Sequence, residues 1–160
     1  MVVAGLWMAC AAGCGLHQKP ALRVASMRVA DTGLGGTVIT VVVEAENYGG
    51  EPLELGGAAY DMTINGETAY AGQRMAPATV PSYGTVRFEL PVPVESSLLA
   101  AERVPYAVRG VVEYIPPGAL GEALFDARVR RGSASFAETG EFIRQDAGDE
   151  TRAVPESAGD

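Results

Sequence analysis

The chain predicts an all-β fold: an antiparallel β-sandwich of about seven or eight short strands with one short helix. Three observations lead there. Apolar residues recur with period two in one segment after another. Turn signals return about every 8–12 residues, the spacing of a sandwich or barrel. The 20 glycines and 10 prolines are spread along the chain instead of clustered, which punctuates many short elements.

Taken in order, Leu22–Ala30 supplies a first strand. Gly36–Tyr48 sets Ile39, Val41, Val43 and Ala45 on one face and Thr40, Val42, Glu44 and Glu46 on the other, as a half-buried strand requires. Ala58–Asn65 repeats the pattern with Tyr60, Met62 and Ile64 against Asp61, Thr63 and Asn65. Asn65-Gly66 then signals a hairpin, because a type I′ turn needs positive φ at both central residues. Glu67–Gly72 is the returning strand. From Thr85 to Val94, Val86, Phe88, Leu90, Val92 and Val94 alternate with Thr85, Arg87, Glu89, Pro91 and Pro93. A helix would scatter those apolar residues, and Phe88, apolar at every two-residue step on either side, is expected in the core. Prolines on the polar face put this strand at an edge or an end, since proline cannot donate to a ladder. Glu95–Arg103 is the helical patch, with Ser96 or Ser97 as N-cap and Pro105 closing it. Strands resume at Tyr106–Ile115, Glu122–Arg131 and about Ser133–Ile143, separated by Pro116-Pro117-Gly118 and Gly132. With no repeat or boundary inside it, 22–143 is one domain.

Composition narrows the function. At 160 residues the chain can bury a core without disulfides or metals, and 48% hydrophobic residues make it too apolar to be disordered throughout. The net charge of −8, from 12 basic against 20 acidic residues, is the wrong field for a phosphate backbone, so nucleic acid is excluded as a partner. It equally argues against an electrostatic grip on anionic headgroups, so membrane attachment has to be hydrophobic or covalent. Half of the excess lies between Gln145 and Asp160, where Asp146, Asp149, Glu150, Glu156 and Asp160 face Arg152 alone. Without apolar periodicity, 144–160 reads as an acidic, solvated, disordered tail.

Cys10 and Cys14 are the two cysteines and His17 is the one histidine. No disulfide framework can form in the domain, and no Ser-His-Asp triad, Cys-His pair or multi-histidine zinc site can be assembled from these residues. No catalytic residue, cofactor or metal site is expected, and the reading is of a non-enzyme.

Met1–Leu16, MVVAGLWMACAAGCGL, carries no charge and is too short to span a bilayer, which takes about 20 residues. It fits the apolar region of a signal peptide ending in small residues. Ala11-Ala12-Gly13-Cys14 resembles the lipobox of bacterial lipoproteins, in which the cysteine is acylated and becomes the mature N-terminus. On that resemblance 1–13 is a lipoprotein signal peptide, Cys14 the lipid attachment site and 14–21 a tether. A plain cleaved signal or an apolar first strand are the other readings. Gly15, where an aspartate favours retention at the inner membrane, implies the outer membrane facing the periplasm in a two-membrane envelope.

The order of features carries a second resemblance. A strand ending at Asn47 is followed by Glu51-Pro52-Leu53-Glu54-Leu55 and a strand running into Asn65-Gly66. After these come Gly72, a Val80-Pro81 approach to a long alternating strand, a short helix, Tyr106-Ala-Val-Arg-Gly110, and Gly140-Glu141-Phe142. This resembles the late-embryogenesis-abundant (LEA) type 2 family, also called the water-stress and hypersensitive-response (WHy) domain, over about Leu22–Phe142. Asn47-Tyr48-Gly49 stands where the family has Asn-Pro-Asn. The resemblance implies a fibronectin-III/immunoglobulin-like sandwich with one short helix, no catalytic residues, and a link to desiccation and stress.

Other candidate residues have plainer explanations. Asn47 and Asn65 suit turns. Arg128, Arg130 and Arg131 form a basic cluster able to hold a phosphate or carboxylate, or a solvated strand face. Asp61, Glu89 and Glu113 are carboxylates that no spacing brings together. Gly33-Leu34-Gly35-Gly36 lies between strands with no helix to make a phosphate loop. Tyr48, Tyr60, Tyr70, Tyr83, Tyr106 and Tyr114 either line a groove or pair across strands. The expectation is a non-enzymatic lipoprotein of the bacterial cell envelope, protective in desiccation or envelope stress. The alternative is a tethered module binding an envelope protein or lipid partner through an edge strand or loop.

Overall fold

The computed structural model describes residues 19–33, 36–117, 132–143 and 153–155. Cys14 and the whole 1–18 segment, the strand expected over Glu122–Arg131 with its arginine cluster, and most of the acidic tail lie outside the described residues. Strands β1 (Ala21–Gly33), β2 (Gly36–Glu46) and β6 (Thr85–Glu95) form a three-stranded antiparallel sheet in the order β1-β2-β6. Strands β3 (Leu53–Ile64), β4 (Glu67–Met75), β7 (Arg103–Tyr114), β8 (Gly132–Ile143) and β9 (Ala153–Pro155) make the larger sheet in the order β4-β3-β7-β8-β9. The two-residue β5 (Thr79–Val80) pairs with the start of β3. The fold is an all-β antiparallel sandwich, as the alternation predicts.

Its core is the inner faces of both sheets. Ile39, Val41, Val43 and Ala45 of β2 are fully buried, as are Leu90 and Val92 of β6, and Phe88 is buried beside them. Facing them are Met62, Ile64, Val104, Val108 and Val112 of the larger sheet. Large rings fit this face because each sits opposite a glycine on the neighbouring strand: Tyr60 opposite Gly72 and Gly110, Tyr106 opposite Gly140, Tyr114 opposite Gly132, Phe136 opposite Gly110. A Cβ on Gly110 would lie 2.5 Å from the Phe136 ring and 3.0 Å from the Ala59 carbonyl oxygen. The ring occupies the space that a side chain on Gly110 would need.

Several expected elements shift. β3 starts at Leu53, not Ala58, because a bulge at Gly56-Gly57 resets the alternation and keeps Leu53, Leu55, Ala58 and Tyr60 on the inner face. β4 runs on to Met75. The expected helix shrinks to one 3₁₀ turn, Ser96–Leu99. Its N-cap is Glu95, with no side-chain cap bond, instead of Ser96 or Ser97. The Ser96 hydroxyl instead meets the Thr37 hydroxyl at 2.7 Å. Between the end of β6 and Arg103 there is too little chain for an α-helix to nucleate. Pro105 therefore lies inside β7 instead of closing a helix. Its carbonyl accepts the Asn65 N–H at 2.9 Å, so its donor-less nitrogen also faces the side where β3 has already ended. In the segment expected to be a solvated tail, Ala153–Pro155 pair with Gly140–Phe142, using backbone groups that the edge of β8 leaves open.

The prolines of β6 behave as expected. β6 pairs with β2 alone in its sheet, and the Pro91 carbonyl accepts a hydrogen bond from the Tyr60 hydroxyl at 2.7 Å. A residue's N and C=O share one side of a strand, so the nitrogens of Pro91 and, two residues on, Pro93 lie on the open edge. That edge cannot donate to an added strand at either position.

Candidate functional site

Register gathers several chain segments at one end of the sandwich. Ala21, where β1 begins, is opposite Glu46, and Glu46 is opposite Thr85. Leu53, where β3 begins, is opposite Val80. Hence the chain arriving through Lys19-Pro20, the 47–52 loop and the 81–84 turn share one pole. The opposite pole holds the Asn65-Gly66 turn, the 3₁₀ turn and the Arg103/Ile143 pair.

Asn47 organises the N-terminal pole. It is buried, 1% exposed. Its amide Nδ2 donates to the Glu51 carbonyl at 2.7 Å and the Pro81 carbonyl at 3.1 Å, its Oδ1 accepts the Gly49 N–H at 2.8 Å, and its own N–H donates to the Gly84 carbonyl at 2.9 Å. The turn role expected of Asn47 holds, and it extends to stitching two loops together. The Tyr83 N–H donates to the Gly49 carbonyl at 3.0 Å and the Gly84 N–H to the Pro81 carbonyl at 3.1 Å. These bonds fix Tyr83 at φ 52°, a left-handed conformation seldom taken by a bulky residue. Its ring is 78% exposed and lies over Gly50, while Tyr48 on the facing loop is 55% exposed and donates its hydroxyl to Glu46 at 2.7 Å.

The six tyrosines thus divide. Tyr60, Tyr106 and Tyr114 are core residues, and Tyr70, half-buried, packs its ring 5.4 Å from that of Tyr60. Tyr48 and Tyr83 are displayed together at the pole. Asn65 keeps its turn role: with φ 53° and 82°, Asn65 and Gly66 have the signs a type I′ turn demands.

The three candidate carboxylates do not converge. Asp61, on the outer face of the larger sheet, receives both its contacts from Arg109 Nε at 3.0 Å. Glu89, on the outer face of the other sheet, pairs with Arg28. Glu113 follows Arg109 by four residues on β7, beside the Gly56-Gly57 bulge. Among the described residues there is no cluster of His, Cys, Asp and Glu able to hold a metal ion. Nor does any described helix have the length and apolarity to cross a membrane.

Two arrangements go beyond the sequence reading. Glu44, assigned to the outward face, is 5% exposed because β1 and β6 place Arg23 and Arg87 directly opposite it on either side. Arg87 Nε donates to it at 2.8 Å, and Arg23 bonds its other oxygen. The Arg87 hydrogen bond, aided by Arg23 and opposed by desolvation, holds the Glu44 carboxyl below the usual range. The second is an open groove of about 880 Å³ at the larger sheet, with Ala59, Asp61, Ala71, Gln73, Arg109 and Val111 among its lining residues. Small side chains on adjacent strands leave this face shallow. Nothing in single-strand periodicity signals either, since both arise from register across three strands.

No protein-family model matches the chain and no curated protein is similar to it by sequence. Its folded shape does have relatives. The solution structure of AT1g01470 from Arabidopsis thaliana superposes with a TM-score of 0.63 at 14% identity, covering 82% of this chain and 86% of that one. At2g46140.1, described as a "putative late embryogenesis abundant (LEA) protein", gives a TM-score of 0.60 at 16% identity, covering 79% and 71%. A crystal structure of a protein from Archaeoglobus fulgidus gives 0.52 at 15% identity, covering 74% and 94%. What is shared is the fold.

Proposed function

We propose that this chain is a non-enzymatic LEA type 2 (WHy) sandwich, held to a bacterial envelope by a lipid on Cys14, which protects or organises that envelope under water stress. The observation that carries the reading is the sandwich shared with the At2g46140.1 structure over 79% of this chain. The feature order from Asn47 to Phe142 supports it. Asn47 ties two loops together in the segment Asn47-Tyr48-Gly49, which keeps only the first residue of the family's Asn-Pro-Asn.

A protectant acts through the folded domain and its abundance. A deletion strain is expected to lose survival on drying or osmotic shock, and rescue should scale with expression. Arg109→Ala should rescue as well as wild type, because the exposed Asp61–Arg109 pair contributes little to stability. The open groove favours a second reading, a tethered module for a protein partner. There a few residues would carry the interface, so Arg109→Ala or Val111→Asp would abolish rescue with folding intact. Full survival of the deletion strain under drying and salt would contradict the protective reading.

A further inference from the structure

The two poles of the sandwich differ in character. At the pole away from Lys19, Asn65, Gly66, Glu67, Thr68, Glu95, Ser97 and Glu102 are exposed, and Leu98 and Leu99 are at least half covered. The large exposed hydrophobic residues among those described are Tyr48, Met75, Tyr83 and Val111. The two tyrosines sit on the N-terminal pole, and Met75 ends the strand whose chain leads to it through β5. Tyrosine, apolar in its ring and polar at its tip, is a residue of membrane–water interfaces.

We infer that the pole bearing Tyr48 and Tyr83 rests in the headgroup layer of the bilayer that holds the N-terminal lipid. This deepens the proposed function and rests on its lipid anchor. The reach of the chain before Pro20 bounds how far that pole can stand from the lipid. Pro20 is buried at the base of β1, so the domain is fixed from that residue on. Cys14 lies six residues before it, a reach of about 20 Å at full extension. A 12-residue strand such as β3 is about 40 Å long, so the tether is shorter than the sandwich. The N-terminal pole is therefore held within about 20 Å of the lipid, nearer than the length of the sandwich. Backbone hydrogen bonds within its own turn and to the Gly49 carbonyl hold the left-handed Tyr83, so little loop ordering remains to oppose contact. Glu46 and Glu51 at the same pole disfavour an anionic surface, and the contact suits zwitterionic headgroups.

The test uses the full chain, expressed, processed and reconstituted in phosphatidylcholine vesicles. The chain's one tryptophan, Trp7, lies in the segment that processing removes, so an introduced tryptophan reports alone. Tyr83→Trp and, separately, Tyr48→Trp should show blue-shifted emission that is lost when headgroup spin-labelled lipid is added. Glu67→Trp at the opposite pole should keep its emission. Vesicle flotation distinguishes the two ideas. Protein that floats with the vesicles while all three probes stay unquenched, or quench alike, overturns the docking pole and leaves the anchor standing. Protein that stays in the aqueous fraction overturns both.

Discussion

The Tyr60 hydroxyl of β3 donates to the Pro91 carbonyl of β6 across the sandwich at 2.7 Å. This joins a buried ring of the larger sheet to the proline-closed edge of the smaller one. Burial raises the hydroxyl's pKa, with the Tyr70 hydrogen bond as a further cause. Tyr60→Phe should lower stability by about 0.5–1.5 kcal/mol, the usual net worth of one hydrogen bond, measured by urea unfolding. An unchanged midpoint would mean that water replaces Tyr60 at Pro91 without loss.

Gly110→Ala tests the pairing of rings with glycines. The added methyl collides with the Phe136 ring and with the Ala59 backbone, and the backbone cannot swing aside. Overpacking of this kind typically costs about 1–3 kcal/mol. The double variant Gly110→Ala with Phe136→Leu should recover part of that loss if the ring is the obstacle.

Asn47→Ala removes two donors and an acceptor that a buried side chain offers to the backbone of the two loops, so destabilisation of about 1–3 kcal/mol is expected. Asn47→Asp should not rescue it, because a carboxylate cannot donate to the Glu51 and Pro81 carbonyls. Amide hydrogen exchange should quicken first at Gly49, Tyr83 and Gly84. Equal protection in variant and wild type would show that the loops hold without this residue.

Much of the architecture was legible from alternation. Phe88 is in the core, Asn65-Gly66 forms the turn and β6 is an edge strand because each follows from local pattern or from proline's missing donor. Glu44 shows what was not legible. Its period-two position points outward, yet cross-strand register buries it between Arg23 and Arg87. The meeting of the 47–52 loop with the 81–84 turn is illegible for the same reason, since it joins segments 34 residues apart through Asn47. The helix expected over Glu95–Arg103 is a single 3₁₀ turn because β7 begins at Arg103 and the Ser96 hydroxyl engages Thr37 instead of capping.

Titration offers a prediction of opposite sign at each end of the pH scale. Glu44 has a folded pKa below its unfolded one, so its contribution is present above the unfolded value and is lost as pH falls through the folded value. Glu44→Gln should flatten the acid limb of stability against pH. Tyr106 is pushed up to about 12 by burial, with Glu138 a lesser cause. Its contribution is complete below the ordinary tyrosine pKa of about 10 and falls as pH rises toward the folded value. Tyr106→Phe should flatten the alkaline limb alone. A variant that changed both limbs would point to a general loss of packing.

We propose that this sandwich works from a membrane through a lipid on Cys14, and the decisive measurement is intact-mass spectrometry of the protein purified from its native membranes. The account predicts a chain that begins at Cys14 and carries acyl groups, and a Cys14→Ser variant that is unprocessed or released from the membrane. A wild-type chain that begins elsewhere, carries no lipid and fractionates with the aqueous phase would contradict it.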